Sequence, residues 1–435
     1  MTQESYRFDT LKVRAGYDPR EHNLSVAVPI YQTVSYELGS TERVDRLLSF
    51  DELGWLYTRI GNPTVSVLEQ RIAALDGGTG AIALASGMAA VSYALLNVAE
   101  GGGRILTTPR LYGGTFDALK KLFPAYGIQI DFVDDPDDVR SYRAALRVDT
   151  KAVLIESISN PDGALLDLQA LANVAHEHGV PLLVDNTFAT PYLFNPFQHG
   201  ADIIIYSATK GIGGHGAALG GLIVENGSFK WDSGKFPQFQ QSHFLLRDRK
   251  TNRERNILEL FPTSAFTMRV RLTHLAYLGA ALGPFDAFLI LQGVETLSER
   301  IAKQTATTER LVAYLDAHPK VAWVKHSSAR DSRYQELARR YFPKGTGSVF
   351  TFGLRASRET HDKFINSVRL FSYQANVGDA RSLIINSART THGELTAEEQ
   401  RSAGIVEDTI RLSIGLEDPQ DLISDLEQAF AKAFV

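Results

Sequence analysis

Residues 203–221 read "IIIYSATKGIGGHGAALGG". Three β-branched residues, Ile203 to Ile205, lead into Ser207, Thr209 and Lys210, and then into a run of glycines. The spacing Gly211-x-Gly213-x-x-Gly216 fits the dinucleotide fingerprint G-x-G-x-x-G. That fingerprint binds pyrophosphate only when the glycines open a helix that crosses back to a parallel strand. Here they run into "AALGGLIVEN", which is short, apolar and β-like, and which ends at the turn Asn226-Gly227. It leaves no room for a crossover helix, so the expectation is an antiparallel return strand and no dinucleotide. No G-x-x-x-x-G-K-[ST] loop is present either. What remains is Lys210, just past the end of a buried strand, where open α/β sheets place their ligands. A lysine there either faces solvent or forms a Schiff base with its amine neutral.

The surrounding texture is an alternating one. "TVSVLEQRIAALDGG", "SGMAAVSYALLNVAEGGG" and "DLQALANVAHEHGV" have helical apolar spacing, while "AIAL", "RILTTP", "AVLIES", "PLLVDNT" and "DIIIYS" read as strands. Strands alternating with helices imply a large, mostly parallel sheet covered on both faces. Residues 1 to about 60 show no sustained period and read as an extended arm. Residues 226–262 interrupt the alternation and read as a solvated surface insertion, their Arg and Lys interleaved with Asp248 and Glu254. The run "DDPDD" from Asp134 reads as a turn before a helix, not as a metal site. From Leu291 one long helix opens a smaller α/β domain, with strands in "GSVFTFGL", "SLIINS" and "TIRLSIGLE" and a last helix in "DPQDLISDLEQAFAKAF". The domain organisation expected is thus 1–61, 62–290 and 291–435.

Composition narrows the chemistry. The 435 residues carry a net charge of -5, so no basic field draws nucleic acid or an anionic membrane. There are no cysteines, which excludes disulfides, thiolate metal sites and a cysteine nucleophile. The polar start "MTQESYRFDT" lacks an apolar signal core, and the apolar stretch from Leu275 is broken by Pro284 and Asp286. A soluble cytoplasmic protein is expected.

Lys210 has companions. Asp185 ends "PLLVD" after apolar residues, and a carboxylate there needs a cation or strong donors, such as the pyridinium nitrogen of a bound ring. Capping or turn formation is the other use for it. Ser86-Gly87-Met88 open a helix whose free amides attract an anion, and Ser207 and Thr209 can add hydroxyls. Tyr112 follows a strand, positioned either to stack on a planar group or to fill the core. Ile410, Leu412 and Ile414 share one strand face, leaving Arg411 on the other.

The motifs "YTRIGNPT" (57–64), "ASGMAA" (85–90), "LYGGT" (111–115), "SNP" (159–161), "VDNTFATP" (184–191), "YSATKGIGGHG" (206–216) and "IRLSIGLED" (410–418) run through nearly the whole chain. Together they resemble the Cys/Met-metabolism family of pyridoxal-phosphate enzymes, the cystathionine γ-synthase-like group. The resemblance implies a fold-type I transferase with pyridoxal 5'-phosphate held covalently on Lys210, which also shuttles protons. It implies that Asp185 faces the ring nitrogen, Asn160 the ring hydroxyl and Tyr112 the ring face, with Tyr112 also a catalytic acid or base. Ser86, Gly87, Met88, Ser207 and Thr209 would hold the phosphate, and Tyr57 and Arg59 would reach it from a neighbouring subunit of a homotetramer. Arg411, with Ser372 and Asn376, would bind the amino-acid substrate.

The insertion around "WDSGKFP" and the segment "ANVGDARSLIINSARTTHGELTAEEQ" resemble the O-acetylhomoserine sulfhydrylase branch. That branch implies replacement at Cγ of an O-acylated homoserine by sulfide or a thiol. The alternatives are a specialised homologue with another nucleophile, or a cystathionine or methionine γ-lyase. Methionine-cleaving lyases carry cysteine where this chain has Gly114, which argues against the lyase. Asn386-Ser387 stand where His-Pro is usual and Tyr373 where His is common, which leaves the nucleophile open. Arg381 and Arg389 flank that altered segment and are the candidate partners for a charged acyl group.

Overall fold

The computed structural model describes residues 6–160 and 162–435; Pro161 of the "SNP" motif and the first five residues of the arm lie outside them. The larger sheet has seven strands: β1 (Gly80–Leu84), β2 (Gly103–Thr107), β3 (Ile128–Phe132), β4 (Thr150–Glu156), β5 (Leu182–Asp185), β6 (Ile203–Ser207) and β7 (Gly221–Glu225). Their order is β1-β7-β6-β5-β4-β2-β3. β7 is antiparallel to both β1 and β6, and the other pairs are parallel. The glycine-rich segment therefore returns as the antiparallel strand its short apolar sequence requires.

Side-chain chemistry sets the element ends. Helix α1 (Phe8–Arg14) and helix α2 (Thr41–Leu48) lie in the N-terminal arm, so the arm is not wholly extended as its sequence suggests. Lys12 of α1 reaches Glu299 at 2.5 Å and fixes the helix to its own chain. Helix α3 (Pro63–Asp76) starts on the Asn62 cap and stops at Gly77, whose φ of 70° suits a residue without Cβ. Helix α4 (Gly87–Val98) starts on Ser86, whose hydroxyl accepts from the Ala89 amide. Helix α5 (Gly113–Lys121) follows Tyr112, and Asp138 of the "DDPDD" run caps helix α6 (Val139–Ala145).

The second sheet has order β10-β11-β12-β9-β8, built from β8 (Val321–Lys325), β9 (Val349–Leu354), β10 (Ser372–Tyr373), β11 (Leu383–Asn386) and β12 (Ile410–Ser413). The long helix expected from Leu291 is two helices, Pro284–Glu295 and Leu297–Asp316, broken at Thr296. The insertion is also less solvated than its sequence suggests. Trp231, Phe236 and Phe239 are buried with Phe266, and the Trp231 and Phe239 rings stack at 4.6 Å. Its charges do face outward in pairs, such as Arg247–Glu254 and Arg253–Glu259. Among the described residues no helix is long and apolar enough to cross a membrane.

A polar string runs beneath the C-terminal edge of the larger sheet. Ser157 donates to Asn186, Asn186 donates to the Tyr206 hydroxyl at 3.1 Å, and Tyr206 donates to Asp76 at 2.8 Å. Burial pushes the Asp76 carboxyl up to about 8, and its second oxygen has no partner. The folded chain thus keeps a proton that the unfolded chain loses near pH ~4. Stability from this group is present at low pH and lost as pH rises toward about 8. Denaturant unfolding should show stability falling by ~2–3 kcal/mol between about pH 6 and about pH 8, and Asp76→Asn should flatten that slope.

Candidate active site

Four strand ends meet at one edge. Glu156 closes β4 beside Asp185 of β5, Asp185 lies level with Ile205 of β6, and Ser207 pairs with Gly221, which also pairs with Leu84. Close approach is built into the glycines here. A Cβ on Gly221 would sit 2.0 Å from the Ser86 carbonyl oxygen, and one on Gly87 would sit 2.6 Å from Ser207 Cβ. The start of α4 can press onto the end of β6 and the start of β7 only because both positions lack a side chain.

These ends frame a cavity of about 200 Å³. Lining it are Ser86, Gly87, Met88, Tyr112, Asn160, Asp185, Ser207, Thr209, Lys210, Asn376 and Arg411, so residues from 86 to 411 converge there. Ser372 is not among them; it sits on β10, paired with Leu383. Tyr57 and Arg59 are not among them either. Arg59 donates to the Ala276 carbonyl and lies over the Tyr57 ring, 5.3 Å from its centroid.

Lys210 donates to the Asn376 side-chain oxygen. Burial, then the nearby Arg411 guanidinium, push the Lys210 amine below its usual value, while Asp379 pulls it back up. Arg411 is buried. It donates to Asn160 Oδ1 at 3.1 Å and to the Asn376 carbonyl at 3.2 Å, and burial brings it down to about 10. Thr209 both donates to the Gly220 carbonyl and accepts from the Gly220 amide, so its hydroxyl proton is already engaged.

The two carboxyls at the sheet edge form a repelling pair. Burial raises Asp185, against the stabilising Thr187 donors. Burial, then the Asp185 charge, raise Glu156 well above the carboxylate range. Glu156 was not singled out from the sequence, although it ends an apolar strand just as Asp185 does. Its oxygens accept the amides of Tyr112 at 2.6 Å and Asn160 at 2.7 Å, so one carboxyl orients both residues. Thr187, Phe188 and Thr391 also line the cavity without a distinguishing sequence signal.

The altered segment turns out to be structural. Asn386 accepts from the Arg389 amide and donates to the Glu407 carbonyl, and Ser387 is fully buried. Neither lines the cavity, and Tyr373 is exposed on β10. Arg389 pairs with Asp362 at 2.8 Å, and Arg381 is exposed outside the cavity. These departures therefore do not touch the site that they seemed from the sequence to alter.

A family model for Cys/Met metabolism PLP-dependent enzymes matches residues 9–431. The chain is 41% identical over 428 residues to the O-acetyl-L-homoserine sulfhydrylase of Leptospira meyeri, covering 98% of this chain and 97% of that one. It is 42% identical over 438 residues to the homocysteine synthase of Schizosaccharomyces pombe, with both chains fully covered. Among solved structures, a candidate O-acetylhomoserine (thiol)-lyase of Campylobacter jejuni, crystallised with a pyridoxyl-lysine phosphate, superposes with a TM-score of 0.92 at 36% identity, covering 98% of this chain and 100% of that one. The match takes in both sheets and Lys210, and the chain belongs to the Cys/Met-metabolism family of pyridoxal-phosphate-dependent enzymes.

Proposed function

We propose that this enzyme replaces the acyloxy group of O-acetylhomoserine with sulfide or a thiol, giving homocysteine or a related amino acid and acetate. The carrying observation is the charge of the cavity: among the described residues lining it, Lys210 and Arg411 are the only basic side chains, which leaves Arg411 alone as a lasting cation once Lys210 serves as the base.

Pyridoxal 5'-phosphate, when bound, supplies an electron sink that acidifies the carbon next to the amino group. The cavity fits it. The Gly87 and Met88 amides at the start of α4, with Ser207 beside them, suit the phosphate, and Asp185 suits the ring nitrogen. Tyr112 would lie against the ring, and Asn160 would meet its hydroxyl. Arg411 holds the substrate α-carboxylate, its guanidinium fixed by Asn160 and by the Asn376 carbonyl. Lys210 takes the proton from Cα, gives it up, and then takes one from Cβ, so that acetate leaves from Cγ; after the sulfur nucleophile has added there, protons return to Cβ and Cα. Its buried amine is disposed toward the neutral, proton-accepting form.

With Arg411 committed to the α-carboxylate, a succinyl carboxylate would enter without a cation, because Arg381 and Arg389 lie outside the cavity. In a direct competition with sulfide in excess, the acetyl ester should turn over at least about tenfold faster than the succinyl ester, the equivalent of ~1.4 kcal/mol. Faster use of the succinyl ester would reject the assignment. Gly114 favours replacement over the methionine-cleaving reaction: a Cβ there would sit 2.6 Å from the Tyr112 ring, so a cysteine would displace that ring.

The assembly that suits this reading is a cytoplasmic homotetramer of active dimers, with Tyr57 and Arg59 of each arm reaching a neighbour's phosphate. Their position outside their own chain's cavity supports this, as do the exposed Val26, Val34 and Leu53 of the arm. Arg59→Ala should weaken cofactor binding by ~10–100-fold, the loss of a charge-assisted hydrogen bond. Light scattering showing a fully active monomer would contradict the arm's role.

A further inference from the structure

Behind Asn376, on the side away from the cavity, lies a buried carboxylate that the reaction as described does not use. Asp379 is 7% exposed. Both its oxygens accept from the Asn376 amide group, at 3.0 and 3.1 Å, and no ion pair holds it among the described residues. The same Asn376 accepts from Lys210 through its other end. Lysine, amide and carboxylate therefore form one hydrogen-bonded line, with the amine at one end and the carboxyl at the other.

We propose that Asp379, acting through Asn376, is a positioning residue that orients the Lys210 amine and keeps it basic enough to take a proton from carbon. The inference rests on the reading of Lys210 as the lysine that binds the cofactor and moves the substrate protons.

The line is held rigidly. The Asp379 carbonyl accepts from Gln304 at 2.8 Å, and the Gly378 amide donates to Ser413 at 3.0 Å. Gly378 has φ +75° and packs so closely on the lysine loop that a Cβ there would lie 2.6 Å from the Gly211 nitrogen. A Cβ on Gly216 would come within 3.2 Å of an Asp379 oxygen. The segment that carries Asn376 and Asp379 thus packs directly on the loop that carries Lys210.

The charges around the amine explain why it needs such support. Sharing its cavity are Arg411 from β12, Tyr112 from the start of α5, and Asp185 and Glu156 from the ends of β5 and β4. Arg300, from the helix Leu297–Asp316, donates to the Gly211 and Ile212 carbonyls of the same loop, and His215 on that loop is exposed. Burial and Arg411 both weaken the amine as a base, and Asp379 opposes them. A base weakened without limit is neutral but takes no proton from carbon; the carboxylate sets the balance. The amide between them passes on polarity, not a proton, since its nitrogen only donates and its oxygen only accepts.

The test follows covalent capture of pyridoxal 5'-phosphate by the cofactor-stripped full chain, read by absorbance across pH. Capture needs the neutral amine, so its rate rises as Lys210 loses its proton, and ionisations of the free cofactor are common to all variants. Asp379→Asn should move the midpoint down by about one unit, the size of effect a nearby opposite charge exerts, and Asp379→Glu should restore most of it. The acid limb of kcat should move the same way, with KM changed less than about twofold. Should Asp379→Asn fail to fold, Asn376→Ala breaks the line instead and should give the same downward shift. An unchanged midpoint in whichever of the two folds overturns the inference. If Lys210→Ala captures the cofactor with the parent profile, the reading of Lys210 itself fails, which is a separate outcome.

Discussion

Lys210→Ala should abolish turnover, by ~10⁴-fold or more, the upper end of what one positioned acid–base group supplies. The cofactor should still enter, because the α4 amides, Ser207 and Asp185 do not depend on the lysine. It should now leave on dialysis, since nothing binds it covalently. The fold should survive the change. Removing the ammonium takes away a buried cation that faces Arg411, and the Asn376 amide keeps its bonds to Asp379. A borohydride-trappable adduct that persists in the variant would place the covalent chemistry on another residue.

Asp185→Asn should lower kcat by ~10²-fold or more while leaving stability intact or slightly raised. Asparagine keeps the shape and still offers an oxygen to the Thr187 amide, which Asp185 accepts at 3.0 Å. What it removes is the negative charge that keeps a bound ring nitrogen protonated. It also removes the repulsion on Glu156, so the Glu156 carboxyl should return toward its ordinary range and hold the Tyr112 and Asn160 amides more firmly. Rate and stability should therefore move in different directions, which a merely structural aspartate would not produce. Near-normal turnover in this variant would make Asp185 structural.

The sequence carried the site wherever local chemistry was unusual. A lysine past a buried strand, a carboxylate ending an apolar run and a serine before a helix each stand out against their neighbours. The return strand β7 was legible because "AALGGLIVEN" is too short for a helix. Glu156 shows the limit: it carries the same signal as Asp185, but its role lies in two backbone amides, from Tyr112 and Asn160, that only the folded chain brings near. Ser372 and Asn376 read alike, yet β10 ends at Tyr373, so only Asn376 reaches the cavity. Strands β3 and β8 lack a clear signal because each is fully buried at its first residue only and so shows no continuous buried run. The insertion read as polar because the partner of its aromatics, Phe266, lies outside it in the sequence. Asn386 and Ser387 looked functional because they depart from a motif, but the second sheet uses them to cap and fill.

The pairing of Gly80 with Glu225 and of Leu84 with Gly221 has a consequence for how the enzyme is made. On a ribosome, β1 emerges early and has no neighbour in the finished sheet except β7, so it must wait until residue 225 has left the exit tunnel. The amides of Gly87 and Met88 and the amine of Lys210 thus belong to no small folding unit; they come together only when this long-range strand exchange closes. Such non-local closure is slow and leaves strand edges open in the meantime. A nascent chain released before that point carries every residue that would cradle the phosphate, in order, and no cradle.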